Sequence, residues 1–201
     1  MAYSRTKIAN LAFSLLESPP VANIDTDGEP ASETLRSVWD AALDLATVDH
    51  PWNHAIGRWN GRGPVPAAQN PAPDVFGYAF AKPSDCLQVL QVNPDRNNRG
   101  DEFKVEDGLI LCDSATINIR GMKRVTEPGR YTVWFVKYFA AYLALLCSKP
   151  LNASETIRQS IAKQLAIALD NARAADGREG TLDRIFQSSY LAARFDDEEG
   201  Y

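Results

Sequence analysis

The strongest constraint on the fold is the apolar segment at residues 131–147, where Thr132 and Lys137 are the only residues outside the hydrophobic set. A helix that is apolar on all sides lies either in a protein core or in a membrane. The segment is shorter than the roughly 20 residues that span a bilayer, Lys137 falls near its middle, and Lys149-Pro150 follows closely. We therefore interpret it as a central core helix with one face left for a neighbouring subunit.

Three further segments repeat apolar residues at helical spacing, at about residues 4–16, 33–47 and 153–175. Ser32 is the predicted N-cap of the second segment, and Asn152 with Glu155 forms a predicted capping box for the last, which Gly177 is expected to end. A short turn joins the last two helices. It predicts an antiparallel αα-hairpin packed against the first two helices.

A β region of about residues 86–120 lies between the two helix pairs. Strands are predicted at 86–92, 102–105, 109–112 and 116–120, with Glu106-Asp107-Gly108 as a hairpin turn. A sheet this small needs the helices to pack against. The sequence therefore predicts an α+β fold, an antiparallel bundle of about four helices with a small antiparallel β-sheet inserted between the N-terminal and C-terminal helix pairs.

Two segments lie outside these elements. Residues 57–75 carry several glycines and prolines and almost no apolar periodicity, which predicts a long exposed loop. After Gly180, Leu182, Ile185, Phe186 and Tyr190 have the spacing of one more short amphipathic helix. We interpret residues 1–180 as a single domain and residues 181–201 as a C-terminal arm.

Composition restricts the classes of function. The net charge of −5 gives no electrostatic basis for gripping nucleic acid, although an acidic protein can surround DNA without adhering to it. Cys86, Cys112 and Cys147 are odd in number and lack paired spacing, which predicts reduced, mostly buried thiols. The N-terminus lacks the apolar core of a signal peptide, so secretion is not expected.

No residue pattern predicts a catalytic, cofactor or metal site. His50 and His54 have ligand spacing, but Pro51 interrupts the helix that this spacing requires, and no third ligand is near. Four carboxylates near the hairpin are expected to be solvated: Glu102, Glu106, Asp107 and Asp113. A basic run is interpreted as a solvated face, with phosphates or an acidic neighbouring chain as alternatives: Arg120, Lys123, Arg124 and Arg130.

The order of several short segments carries a family resemblance. These are Ile8–Phe13, Pro20-Val21, the segment from His50 to Ala55, and Gly77–Leu87, in which Pro83-Ser84-Asp85-Cys86-Leu87 is the sharpest element. Across about residues 5–175 the chain resembles the head-to-tail adaptor proteins of tailed bacteriophages, in particular tail tubular protein A and related adaptors of short-tailed phages. Within the Gly77–Leu87 element, Tyr78, Phe80 and Leu87 are expected core anchors, and Pro83 and Asp85 expected turn-formers.

The resemblance implies a structural protein of the virion, made in the host bacterial cytoplasm, with no catalytic activity, no cofactor and no membrane association. It implies a homo-oligomeric ring, commonly of twelve copies, between the portal protein and a downstream tail or nozzle protein. DNA would pass through the lumen during ejection without sequence-specific binding. By analogy with the family, the portal-binding candidates are Phe186, Tyr190 and Arg194, since aromatic and arginine side chains are frequent interface anchors.

Two alternatives remain open from the sequence. One is a virion-associated hydrolase of cell-wall glycan that uses paired carboxylates, with Glu102 and Glu106 as the pair to test. The other is a non-viral oligomeric binding module built on the same αα-hairpin.

Overall fold

Helix α3 (Val133–Ser148) forms the centre of the helical bundle in the computed structural model, which describes residues 3–95 and 99–179. Around it pack α1 (Arg5–Leu15), α2 (Pro30–Val48) and α4 (Glu155–Arg178). The side chains of Phe135, Val136 and Phe139 are fully buried. The predicted core helix is therefore confirmed.

Among the described helices, none combines the length and the apolar character needed to cross a membrane.

Two predicted helix starts are wrong. Helix α2 begins at Pro30, three residues before the predicted start, because proline is favoured in the first helical turn, where its missing N–H would have had no partner. Ser32 is buried inside the helix and donates a hydrogen bond to the Asp27 carboxylate. The N-cap of α4 is Ser154, whose hydroxyl accepts from the backbone N–H of Ile157 at 3.3 Å. Asn152 instead takes a positive φ of 54° in the preceding turn.

The end of α4 also differs from the prediction. The helix continues through Gly177 to Arg178. Glycine weakens a helix but does not by itself stop one.

The described β residues form two three-stranded antiparallel sheets. Sheet 1 has the order β1-β6-β3, from β1 (Ile56–Arg62), β6 (Ile117–Lys123) and β3 (Cys86–Val92). Sheet 2 has the order β2-β5-β4, from β2 (Tyr78–Ala81), β5 (Leu109–Cys112) and β4 (Lys104–Glu106). The α+β fold is thus confirmed, with its β residues divided between two sheets.

The predicted hairpin is confirmed as β4–β5. Its turn residues Asp107 and Gly108 have φ values of 48° and 72°, the pair of positive angles that a two-residue hairpin turn requires. The two sheets face each other across a separate apolar cluster of Phe80, Val92, Ile110, Cys112, Ile117 and Ile119. Sheet 2 is therefore held to sheet 1 and does not extend into solvent alone.

The prediction of a loop over residues 57–75 is wrong in its first part. Residues 56–62 form β1, which pairs with β6 in a register that sets Gly57 opposite Gly121 and Trp59 opposite Ile119. The local sequence carries no strand signal, because β1 is glycine-rich and mostly polar and its partner strand lies far along the chain. Of the remaining residues, Val65 and Ala72 pack against the cluster of Phe76, Ala79 and Leu111 on sheet 2.

The Gly77–Leu87 element joins the two sheets. Phe80 is fully buried and Leu87 packs against the bundle core, as expected, whereas the expectation for Tyr78 is wrong because its side chain is exposed. Asp85 does more than form a turn. Its carboxylate accepts from Trp59 Nε1 at 3.0 Å and pairs with Lys123 Nζ at 3.3 Å.

The bundle and sheet 1 share one apolar core. Met122 is buried within the helical cluster, and Ile56, Leu87 and Leu90 pack against it. The guanidinium of Arg124, which follows β6, also donates to both carboxylate oxygens of Asp44 on α2. Since Arg124 also donates its backbone N–H to the Asp85 carbonyl at 2.8 Å, one residue ties α2 to the junction between the sheets.

Candidate interaction surfaces

An apolar groove opens between α1 and α4, and α3 forms its floor. Its volume is about 340 Å³. Helix α1 contributes Leu11 and Leu15, α3 contributes Trp134 and Lys137, and α4 contributes Ile167 and Ala168. The groove exists because α1 and α4 both pack on α3 but make little contact with each other, which leaves one strip of α3 uncovered.

Large apolar side chains are exposed on every wall of this groove. Leu11 is 42% exposed, Trp134 is 40% exposed and Ile167 is 61% exposed. Burial of apolar surface stabilises a protein by roughly 25 cal/mol per Å². The single chain lacks this stabilisation for the side chains that it leaves exposed here. Contiguous exposed apolar surface of this kind is typical of interaction sites.

Lys137 is the only charged side chain among the described residues that line the groove. Its Nζ lies 4.9 Å from the centroid of the Trp134 ring, a cation–π distance. Within residues 3–95 and 99–179, no carboxylate forms an ion pair with it. The groove is therefore apolar with one positive charge at its floor.

A second exposed strip runs along the outer face of α2. Leu45 is 50% exposed and Val48 is 38% exposed, on the side of the helix that points away from α3. The same strip carries the exposed carboxylates of Glu33 and Asp40. Asp44 lies on the same side and is paired with Arg124. The strip is thus apolar near the end of the helix and carries two further carboxylates along the rest.

A buried carboxylate fixes the far end of α4. Asp176 Oδ1 accepts from the backbone N–H of Asn53 at 3.0 Å, and Oδ2 lies 3.3 Å from His50 Nε2. The Asn53 side chain in turn donates to the Asp176 carbonyl at 2.8 Å. Nearby, Arg173 donates to the carbonyl of Asp49 at 3.0 Å. These contacts anchor α4 to the segment that follows α2, so they set the outer wall of the groove.

His54 lies inside an aromatic cluster. Its ring centroid is 4.5 Å from that of Phe135 and 5.5 Å from that of Tyr131. Nδ1 is buried, with no hydrogen-bond partner among the described residues. Burial, assisted by the nearby charge of Arg130, lowers the pKa of His54 to about 4. No group of three or more metal-ligating side chains occurs in the described part of the chain.

The carboxylates considered as a hydrolytic pair lie on the exposed hairpin side of the β region. Glu102, Glu106 and Asp107 are exposed, and Glu106 lies 3.9 Å from Lys104 Nζ. Asp113 accepts from the backbone N–H of Gly77 at 2.9 Å. None of these carboxylates lines the groove.

The side chains of three of the four residues in the basic run form hydrogen bonds or ion pairs within the chain. Arg120 donates to the Gln91 side chain at 3.0 Å, Lys123 pairs with Asp85, and Arg124 pairs with Asp44. The side chains of Lys123 and Arg124 remain 42% and 39% exposed and Arg130 is exposed, so the run lies at the surface with part of its charge paired within the chain.

The portal-binding candidates Phe186, Tyr190 and Arg194 lie outside the described residues, as does the rest of the predicted arm at 181–201.

Sequence reasoning missed the groove itself. Helical spacing places Leu11 on the apolar face of α1, but α3 covers only part of that face. One signal is available in α4, since Ile167 falls outside the apolar stripe that runs through Ile161 and Leu165. A large apolar residue on the polar side of an amphipathic helix often marks a contact with another surface.

No model of a known protein family matches this chain, and neither does any curated protein. Function must therefore be inferred from the residues and their geometry.

Proposed function

We propose that the chain is a structural connector of a tailed-phage virion that forms a ring between the portal and the tail. The observation that carries the proposal is the order of elements: a helix pair, a β region and a second helix pair built on an apolar central helix. This is the architecture that the adaptor resemblance implies.

Two features of the surface support the proposal. The bundle has an exposed apolar groove, which suits a subunit made to pack against copies of itself. The net charge of −5 suits the wall of a channel through which DNA moves without adhering.

The direct test is to mix the purified protein with the portal protein encoded in the same genome and to examine the complexes by negative-stain electron microscopy. We expect rings stacked on the portal, commonly of twelve copies. A triple variant Phe186→Ala, Tyr190→Ala, Arg194→Ala should form the same contacts between copies but bind the portal more weakly.

A matched control is the double variant Glu102→Gln, Glu106→Gln, which should assemble like the unmodified protein. A chain that stays monomeric at every concentration and does not bind the portal would overturn the connector proposal. Loss of glycan hydrolysis in the double variant, with assembly intact, would instead favour the hydrolase.

A further inference from the structure

We propose that the outer face of α2 from one copy packs into the α1/α4 groove of the next copy, so that copies join head to tail. Only the closure of these contacts into a ring rests on the proposed function. The contact itself involves two surfaces of the same bundle.

The two surfaces lie on different sides of α3. Trp39 of α2 makes an edge contact with Phe139, with ring centroids 5.2 Å apart, so Phe139 marks the side of α3 that faces α2. Lys137 lies on the groove side. Two residues are about 200° apart around a helix, so these side chains point in nearly opposite directions. A subunit with two distinct complementary surfaces on opposite sides forms heterologous contacts, which close into a ring when the rotation permits.

The exposed strip of α2 is a ridge of the kind that packs into a groove between helices. Ser37 and Ala41 lie on the exposed strip of α2 and keep this ridge narrow, and Leu45 and Val48 extend it with apolar side chains. The groove is a channel between two helices with α3 as its floor. Packing of a helix ridge into such a groove is the ordinary way in which helices associate.

The charges of the two surfaces are complementary. The groove carries the cation of Lys137, which has no carboxylate partner among the described residues, and the α2 ridge carries the exposed carboxylates of Glu33 and Asp40. Asp40 forms no ion pair within residues 3–95 and 99–179 either, although it lies near enough to Arg124 for the two charges to interact. Opposite charges on two surfaces favour this register and disfavour contact of the groove with another groove.

The sharpest test is site-specific cross-linking of the full chain. All three natural cysteines are buried, so cysteines introduced on the surface would be the accessible ones. The single variants Ala41→Cys and Ile167→Cys are prepared separately, concentrated, and treated with a short bifunctional thiol reagent alone and as a mixture. We expect cross-linked dimers only in the mixture, and a ladder of higher species from a chain that carries both substitutions.

An electrostatic test checks the register. Lys137→Glu and Asp40→Lys should each weaken self-association about 2–5-fold, the range for an exposed ion pair, and the variant carrying both should regain it. Ile167→Glu should weaken it at least about tenfold, corresponding to the loss of roughly 1.4 kcal/mol. Val105→Glu is the matched control, because Val105 is similarly apolar and exposed but lies on the β4 strand.

The outcomes separate this inference from the proposed function. Cross-links in Ile167→Cys alone would indicate an isologous contact and overturn the head-to-tail arrangement. Protection of the introduced thiol of Ile167→Cys from alkylation in the monomer would mean that the chain's own residues fill the groove, which would also overturn it. Rings on the portal without cross-links in the mixture would refute this contact and leave the connector proposal standing, whereas absence of both rings and portal binding would refute the connector itself.

Discussion

At the scale of single residues, buried polar groups determine how the elements are joined. The buried carboxylate of Asp176 accepts from the backbone N–H of Asn53, a residue far earlier in the chain, and the backbone carbonyl of Asp176 accepts from the Asn53 side chain. A buried polar group that keeps its partners is tolerated, whereas one that loses them is costly. The position of α4, and with it one wall of the groove, depends on this pairing.

We predict that Asp176→Ala lowers the free energy of unfolding by about 1–3 kcal/mol, because the backbone N–H of Asn53 would lose its acceptor. Asp176→Asn should cost less, since Oδ1 is retained. Urea denaturation followed by circular dichroism measures both. Asp170→Ala, at an exposed position of the same helix, is the control and should change stability by no more than about 0.5 kcal/mol. An equal effect of the two alanine variants would contradict the role given to Asp176.

His54 predicts a pH dependence of stability. Its pKa is about 4 in the folded chain and about 6.5 when unfolded, so the unfolded chain binds more protons between these values. Stability should therefore rise as the pH increases from 4 to 6.5, by on the order of 2–3 kcal/mol from this residue. Denaturant titrations across this window measure the slope.

The variant His54→Phe should flatten that slope, because the neutral ring keeps the contact with Phe135 and removes the titrating group. It should also be more stable than the unmodified protein at about pH 5, since the buried Nδ1 without a partner is removed. His50→Gln serves as the comparison and should retain the His54 contribution. Identical slopes in His54→Phe and the unmodified protein would rule out His54 as their source.

At the scale of elements, the central strand of sheet 1 depends on close approach of two backbones. Gly121 on β6 lies so near β3 that a Cβ atom there would be 2.5 Å from the Gln88 carbonyl oxygen and 3.1 Å from Cys86 Sγ. A backbone carbonyl in a sheet cannot move aside easily. The pairing of β3 with β6 therefore requires glycine at this position.

We predict that Gly121→Ala destabilises the protein by about 1–3 kcal/mol through overpacking. Gly177→Ala should have the opposite sign, a gain of about 0.5–1 kcal/mol, because its added methyl meets no described atom within 4 Å and alanine favours a helix. Thermal and urea unfolding of the two variants compare them directly. A Gly121→Ala variant with unchanged stability would show that β3 can move away from β6 at no cost in free energy.

At the scale of the whole molecule, the continuous core predicts one folding unit. Met122 from the β region is buried among the helices, and Asp44 and Arg124 join the two parts at the surface. Parts that share a core usually unfold together. The fold should therefore lose its helices and its sheets in a single transition.

This prediction can be checked with two probes on one sample. Far-ultraviolet circular dichroism follows the helices, and the fluorescence difference between the unmodified protein and Trp59→Phe follows sheet 1, where Trp59 lies. The two curves should have the same midpoint. Midpoints that differ would mean that the bundle and the β region unfold separately.

The elements that are predicted well are those whose pattern is local. The apolar run of α3, the amphipathic stripes of α1 and α4, and the Asp107-Gly108 turn each depend on residues a few positions apart. Strand β1 escapes prediction for the opposite reason. Its glycines and polar residues carry no local strand signal, and it forms because β6, far along the chain, offers a partner.

Short-range patterns in the sequence are enough to specify the class of fold, because hydrophobic spacing and turn chemistry act over a few neighbouring residues. Which apolar residues stay exposed depends instead on how the helices pack. Leu11, Trp134 and Ile167 come from three separate helices, and of the three only Ile167 departs from the pattern of its own segment. They form a groove because α1 and α4 both pack on α3 with little contact between themselves, and such an arrangement depends on packing between distant parts of the chain.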